Sequence, residues 1–383
     1  MKKHLIAAAV AAAVVAPAAM AQNVSIYGIL SQAYTDVDTK LSVGATSATV
    51  SNTNTGTQGA QAGSRLGFRG TEDLGGGMKA GFVYELGVNT DTGTGANRLG
   101  YLDLSGAFGT FRLGKVDSLT RSIYNSYTAH SNSGFAPGNT GASYGVIGST
   151  LYALGEGTSV ANSIAKGCGN FTGGDKAECD EVAAAFGFGG TRVTNSIGYI
   201  SPSFSGLTAQ IQYGKADVDL STVAGSASNE QVNFGLSYAA GPLALAIARD
   251  TVEIGREAAA PGNTTSDITT DMIGAAYDFG VAKAFLNYTS KKYEVTGFSE
   301  IKIKDTTIGV SVPLGAVVLV GSYSDGDTKT DGSKVDVDGF QLQANYNLSK
   351  RTKVYAMYGE TEASEADVKW KLDGFAIGVQ HSF

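Results

Sequence analysis

Gly339-Phe340-Gln341-Leu342-Gln343-Ala344-Asn345-Tyr346-Asn347-Leu348 decides the fold. Apolar side chains hold every even position, and Gly, Gln or Asn every odd one. In an extended backbone successive side chains point to opposite faces, so this run makes a ribbon that is apolar on one side and polar on the other. The same period of two recurs widely. Leu207, Ala209, Ile211 and Tyr213 alternate with Thr208, Gln210, Gln212 and Gly214. Val232, Phe234, Leu236 and Tyr238 alternate with Gln231, Asn233, Gly235 and Ser237, and Phe375, Ile377 and Val379 alternate with Gly374, Ala376, Gly378 and Gln380. Helical spacing fits none of these segments better.

Two kinds of connection separate the strands. One is short and turn-like, as in Glu72-Asp73-Leu74-Gly75-Gly76-Gly77, Ala240-Gly241-Pro242 and Pro313-Leu314-Gly315, where Gly, Pro and Asp favour tight turns. The other is longer and polar, around residues 37–62, 89–97, 117–190, 218–229, 253–267, 292–300, 325–334 and 362–369. The two kinds alternate strictly. Seven short turns and eight long connections predict sixteen strands running up and down. A sheet of that size leaves two costly edges unless it closes on itself. Strands of 9 to 13 residues suit a lipid bilayer, and polar groups on one face of every strand need water. The expectation is an apolar outer surface around a polar lumen in one domain, with Tyr27, Tyr84, Tyr213, Tyr238, Tyr277, Tyr288, Tyr346, Tyr355 and Tyr358 at the interfaces.

Composition narrows the function classes. The 383 residues carry a formal charge of −7, which argues against a nucleic-acid partner. Three His and two Cys leave little for metal or Cys/His catalysis, and neither His130 nor His381 has a triad partner, so no enzyme and no cofactor is expected. Met1-Lys2-Lys3-His4, the apolar run Leu5–Ala16 and the small-x-small site Ala19-Met20-Ala21 predict an export leader over 1–21, and with it an exported chain at 22–383.

At this point the chain resembles the general porins of Gram-negative outer membranes. The residues that carry the resemblance are Val24-Ser25-Ile26-Tyr27-Gly28, Ser64-Arg65-Leu66-Gly67-Phe68-Arg69-Gly70-Thr71-Glu72-Asp73-Leu74-Gly75 and Phe108-Gly109-Thr110-Phe111-Arg112-Leu113-Gly114-Lys115. Arg98 with Leu102-Asp103-Leu104, Asn195-Ser196-Ile197-Gly198-Tyr199, Ser201-Pro202-Ser203-Phe204 and the terminal Phe383 complete it. The resemblance implies a sixteen-stranded antiparallel transmembrane β-barrel with short periplasmic turns, long external loops and an inward-folded third loop, here 117–190. It also implies a homotrimer in outer-membrane lipid and lipopolysaccharide that passes ions and small hydrophilic solutes. Phe383 would then be the signal read by the outer-membrane assembly machinery. A substrate-specific channel, or an adhesin or receptor barrel acting through its external loops, remains the alternative.

Basic residues concentrate in the first third of the barrel. Arg65 and Arg69 share parity, while Leu66 and Phe68 take the lipid face. By resemblance Arg65 and Arg98 line the pore and Glu85 is a lumen acid. Arg112 and Lys115 differ in parity, so a plain strand cannot turn both inward. Asp117 and Arg121 open the third loop, and Ser131-Asn132-Ser133-Gly134-Phe135-Ala136-Pro137-Gly138 carries no acid where cation-selective relatives have one. A constriction with weak cation preference, or with anion preference, is therefore expected. Cys168 and Cys179 are expected to form a disulfide within that loop, worth about 3 kcal/mol by chain entropy. A metal site at Asp175, Glu178, Asp180 and Glu181 is the lesser alternative.

Overall fold

An unpaired strand edge exposes a row of N–H and C=O groups that hydrocarbon cannot satisfy, so strands in lipid must close into a ring. The computed structural model shows that ring. It describes residues 24–58, 60–90, 93, 95, 97–130, 192–220, 225–258, 264–295 and 299–383. The leader expected at 1–21, Cys168, Cys179 and residues 131–191 of the third connection lie outside them.

The first strands are β1 (Ser25–Val43), β2 (Thr46–Gln58), β3 (Arg65–Gly75), β4 (Met78–Gly87), β5 (Asn97–Gly106) and β6 (Gly109–Asp117). A helix follows, α1 (Leu119–Ser126). Then come β7 (Arg192–Ile200), β8 (Leu207–Leu220), β9 (Gly225–Ala240), β10 (Leu243–Ala258), β11 (Thr264–Asp278) and β12 (Lys283–Val295). The last are β13 (Ile301–Leu314), β14 (Val317–Thr330), β15 (Ser333–Asn347), β16 (Thr352–Glu365) and β17 (Val368–Ser382). All pairings are antiparallel, and β1 joins β17 from Ile29–Ser382 to Val43–Val368. The other edge of β1 pairs with β3 at Ser25–Ile29 and with β2 at Gln32–Val43. β2 and β3 are therefore two halves of one stave, and seventeen segments build the expected sixteen staves.

Side-chain orientation follows the period of two. Ile26 and Leu102 stand outward, 62% and 64% exposed, and Ile247, Ile308, Leu342 and Ile377 share that surface. Inward neighbours are polar, among them Ser31, Asn233, Asn287, Thr289, Thr307 and Gln341. Tyr84, Tyr213, Tyr277, Tyr346 and Tyr358 are exposed on the outer surface. Tyr27 and Tyr355 are not interfacial: register puts both on the inner wall, where Tyr27 donates to Glu85 and Tyr355 is 2% exposed.

The polar stretches expected as loops are in large part strand. β1 and β2 continue to a turn at Gly44 and Ala45, β14 and β15 to one at Asp331 and Gly332, and β16 and β17 to one at Ala366 and Asp367. Strands thus run from 9 to 19 residues. Where a hairpin stands in water neither face needs apolar side chains, so the alternation fades although the ladder continues. Gly44 and Gly332, with φ of 56° and 82°, supply the left-handed residue that such tight turns require.

The chain leaving β6 crosses to the far inner wall. Ser118 caps α1 by accepting from the Arg121 N–H at 3.3 Å, and Asp250 of β10 accepts from the Thr120 N–H at 3.3 Å and from its hydroxyl. Leu119, Ile123 and Tyr127, spaced by four, share one face of the segment and pack on Ala246, Ala248, Met272 and Ala276. The wall beneath has been stripped of side chains. A Cβ on Gly274 would sit 2.6 Å from Tyr127 Cγ, one on Gly235 3.1 Å from Leu119 Cδ1, and one on Gly309 2.7 Å from Ala129 Cβ. The far end is pinned by His130, whose Nδ1 lies 2.7 Å from Ser322 Oγ and Nε2 3.1 Å from the Tyr124 hydroxyl.

Two outcomes test this architecture. Ile377→Lys puts a charge on the lipid face and is expected to cost about 2–4 kcal/mol, read from urea unfolding in lipid. Burial pushes the His130 imidazole down to about 4, below its ordinary 6.5. The unfolded chain therefore takes up this proton first, and the contribution of His130 is full above about pH 6.5 and declines toward pH 4. The Tm advantage of the parent over His130→Gln should shrink across that interval, and a pH-independent gap refutes the assignment.

Candidate functional site

The inner wall of β3 to β7 gathers the arginines. On β3, Arg65, Gly67 and Arg69 face inward because they oppose Ile29, Tyr27 and Ser25 of β1. The Tyr27 ring occupies the space that a Cβ on Gly67 would take, so the glycine is required by the aromatic beside it. Across the next ladder Gly67 meets Glu85, which is 6% exposed. Glu85 accepts from the Tyr27 hydroxyl at 3.2 Å and from Arg98 Nε at 2.7 Å, and Arg65 Nε stands 3.5 Å from its other oxygen.

Plain alternation would send Arg98 outward, since Leu99 opposes the inward Glu85. A bulge rescues it: Glu85 pairs with Leu99 and Leu86 with Asn97, leaving Arg98 as the extra residue. A second carboxylate, Asp117, is likewise shared between two guanidiniums, with Arg121 Nε and Arg192 Nε each 3.1 Å from Oδ1. β7 carries its own bulge there, with Asn195 at φ 47°. A third pair is a fork, Arg112 Nε and Nη2 to the two oxygens of Asp103 at 2.7 and 2.8 Å, stacked 4.0 Å from the Tyr101 ring centroid.

The structure brings Arg65, Glu85, Arg98, Asp117 and Arg121 into one neighbourhood and sets Arg112 beside it. Arg69 stands nearer the short-turn end, 5.2 Å from the Tyr27 ring centroid. Lys115 opposes Gly100 at the parity of the outward Leu113 and is not among the ion pairs of this cluster, whereas Asp117, of the same parity, reaches Arg121 and Arg192 from the last residue of β6, where the strand ends. Arg192 was not anticipated, and only its position as the first residue of β7 hinted at it. Asp250, the anchor of α1, carried no signal apart from strand parity. Counted together, Arg65, Arg69, Arg98, Arg112, Arg121 and Arg192 outnumber Glu85, Asp103 and Asp117 by six to three. Guanidiniums keep their charge, and each shared carboxylate holds two of them in place without neutralising both.

Phe383 closes the ring. Its N–H donates to Gly28 at 3.1 Å, its carbonyl accepts from the Gly28 N–H at 3.0 Å, and its ring covers Gly28. Among the described residues no group of three or more His, Cys, Asp or Glu side chains could hold a metal ion. The acids from Asp175 to Glu181 lie outside those residues.

This geometry matches known proteins. The family model described as Gram-negative porin covers residues 7–366. Outer membrane porin protein 32 of Delftia acidovorans is 32% identical over 411 residues, covering the whole of both chains. The anion-selective porin from Comamonas acidovorans superposes with a TM-score of 0.66 at 24% identity, over 94% of this chain and 100% of that one. An outer membrane protein of Vibrio cholerae in a trimer form superposes with a TM-score of 0.61 at 14% identity, over 95% of this chain and 100% of that one. Closed barrel, lipid-facing belt, family model and full-length relatives agree, and the chain belongs to the Gram-negative porins, channels of the bacterial outer membrane.

Proposed function

We propose that this barrel is a passive, anion-preferring channel for ions and small hydrophilic solutes, narrowed by its third connection and lined there by arginine. The observation that carries the reading is the excess of guanidinium over carboxylate on the β3 to β7 wall. In a narrow aqueous passage with low-dielectric walls, a local surplus of one sign sets the potential that a permeating ion meets. α1 supports the narrowing, since it lies on the inner wall of β9 to β11 and brings Arg121 to Asp117. The Comamonas neighbour, an anion-selective porin by name, agrees with the sign. A trimeric assembly is proposed with the Vibrio neighbour as precedent, and Phe383 is proposed as the assembly signal. The disulfide between Cys168 and Cys179 remains part of this proposal.

Reversal potentials of the reconstituted protein in a KCl gradient test the reading. The parent should favour chloride, and the double variant Arg98→Gln, Arg192→Gln should move the potential toward potassium. Strong potassium selectivity in the parent overturns the proposal. Conductance rising in groups of three equal steps per insertion is the expected mark of the trimer.

A further inference from the structure

The break between β2 and β3 lies inside the barrel. Gln32 pairs with Gln58 and Ile29 with Arg65, so two residues of β1, Leu30 and Ser31, stand against a connection six residues long, of which 60–64 are described. A continuous ladder would need two there. The excess of four turns onto the inner wall. Ala60, 5% exposed, packs among the inward side chains Ala33, Tyr355, Met357 and Ala376. Gln61 donates from Nε2 to Asn345 Oδ1 at 2.7 Å, and its backbone N–H donates to the Tyr355 hydroxyl. Ser64 accepts from the Ser31 N–H at 3.0 Å and returns its hydroxyl to the Ser31 carbonyl at 3.3 Å, standing in for the lost ladder bonds. Its own carbonyl accepts from the Val88 N–H at 3.0 Å.

The segment sits at the arginines. A Cβ on Gly63 would lie 3.7 Å from Arg98 Nη1 and meet no other atom within 4 Å, so the exposed edge of the segment borders that guanidinium. Its place on β1 and β15 to β17 lies across the ring from helix α1 on β9 to β11, β1 and β10 being eight staves apart, while residues 129 and 130 reach β13 and β14 beside it. It bears no charge.

We propose that Ala60–Ser64 form a second lip of the constriction, facing the α1 segment, and that Gly63 is a specificity-determining position beside Arg98. Resting on the channel reading above, the inference adds that the constriction is narrowed from the β15 to β1 wall as well as from the β9 to β14 wall, and that its neutral lip leaves the arginines unopposed on that side. Any side chain at position 63 enters the path of permeating ions.

Deleting Ala60–Gly63 removes an even number of residues, restores the two-against-two ladder and keeps every face in place. Single-channel conductance of that variant should rise by roughly half. Gly63→Glu and Gly63→Lys should move the KCl reversal potential in opposite directions, the first toward potassium, with a chloride-to-potassium permeability ratio changed by roughly twofold or more. These two substitutions meet no steric barrier and decide the matter even where the deletion fails to fold. A conducting parent whose Gly63 variants share its conductance and reversal potential overturns the second lip and leaves the channel reading standing. A parent that carries no current overturns both.

Discussion

Hydrocarbon offers no partner to a backbone N–H or C=O, and everything else in this barrel follows from that refusal. Sixteen staves satisfy one another side by side, and the last residue of the chain completes the circuit. β1 and β17 are fifteen residue pairs in register, and Phe383 adds two backbone hydrogen bonds to Gly28 just below them. Gly28 is glycine because the Phe383 ring lies over it. Closure then fixes the side-chain code: where a strand is paired on both sides, a residue can face only lipid or lumen. Ile26, Leu30 and Tyr34 go one way, and Ser31, Ala33 and Thr35 the other.

Inward side chains crowd the surface of the wall, so segments that fold onto it need prepared seats. Two are evident. Gly235, Gly274 and Gly309, with Ala246, Ala248 and Ala276, clear a shallow track for residues 119–130, and Asp250 and His130 pin its ends. Ala33 and Ala376 do the same for Ala60. Small residues remove bulk, while the apolar area buried against them and the hydrogen bonds at the margins hold the segment. Lumen-facing hydrophobics are thus explained in part as seats rather than as a dry core. Val335, Ala363 and Trp370, and Val252, Ile254 and Ile268, form two further inward apolar clusters nearer the hairpin tips.

The membrane-spanning strands were legible because lipid on one side and water on the other write a period of two into segments such as Leu207–Tyr213 and Phe340–Tyr346. Above the belt that asymmetry vanishes, and residues 37–62 read as loop although β1 and β2 continue through most of them. Parity found Arg65 and Arg69, whose strand is regular. It could not place Arg98, because a bulge is a single inserted residue without a compositional mark; the family resemblance did so instead. Arg192 is the first residue of β7 after the long third connection, beside the bulge at Asn195, where the alternation has only begun. Tyr27 and Tyr355 were misread as interfacial because an aromatic on a strand carries no label for its face. The glycines that admit them, Gly67 and Gly378, were the available clue.

A chain with a net charge of −7 can still present a positive passage, because net charge says nothing about where charge resides. Much of the acidity lies on the outer face of the tall hairpins, one step above the outward aromatics. Tyr323 is followed two residues later by Asp325, opposite Asp338, and Phe375 is preceded by Asp373, opposite Glu360. Lys371 and Lys369 answer Glu360 and Glu362 on that same surface. Those groups face bulk electrolyte, where interactions fade over a Debye length of roughly 8–10 Å. The guanidiniums instead stand on a confined inner wall, only about a fifth to a quarter exposed at Arg65, Arg98 and Arg192 and held by shared carboxylates. On the proposed channel reading, an ion in the passage meets that six-to-three balance first, and the screened acids of the outer face count for less.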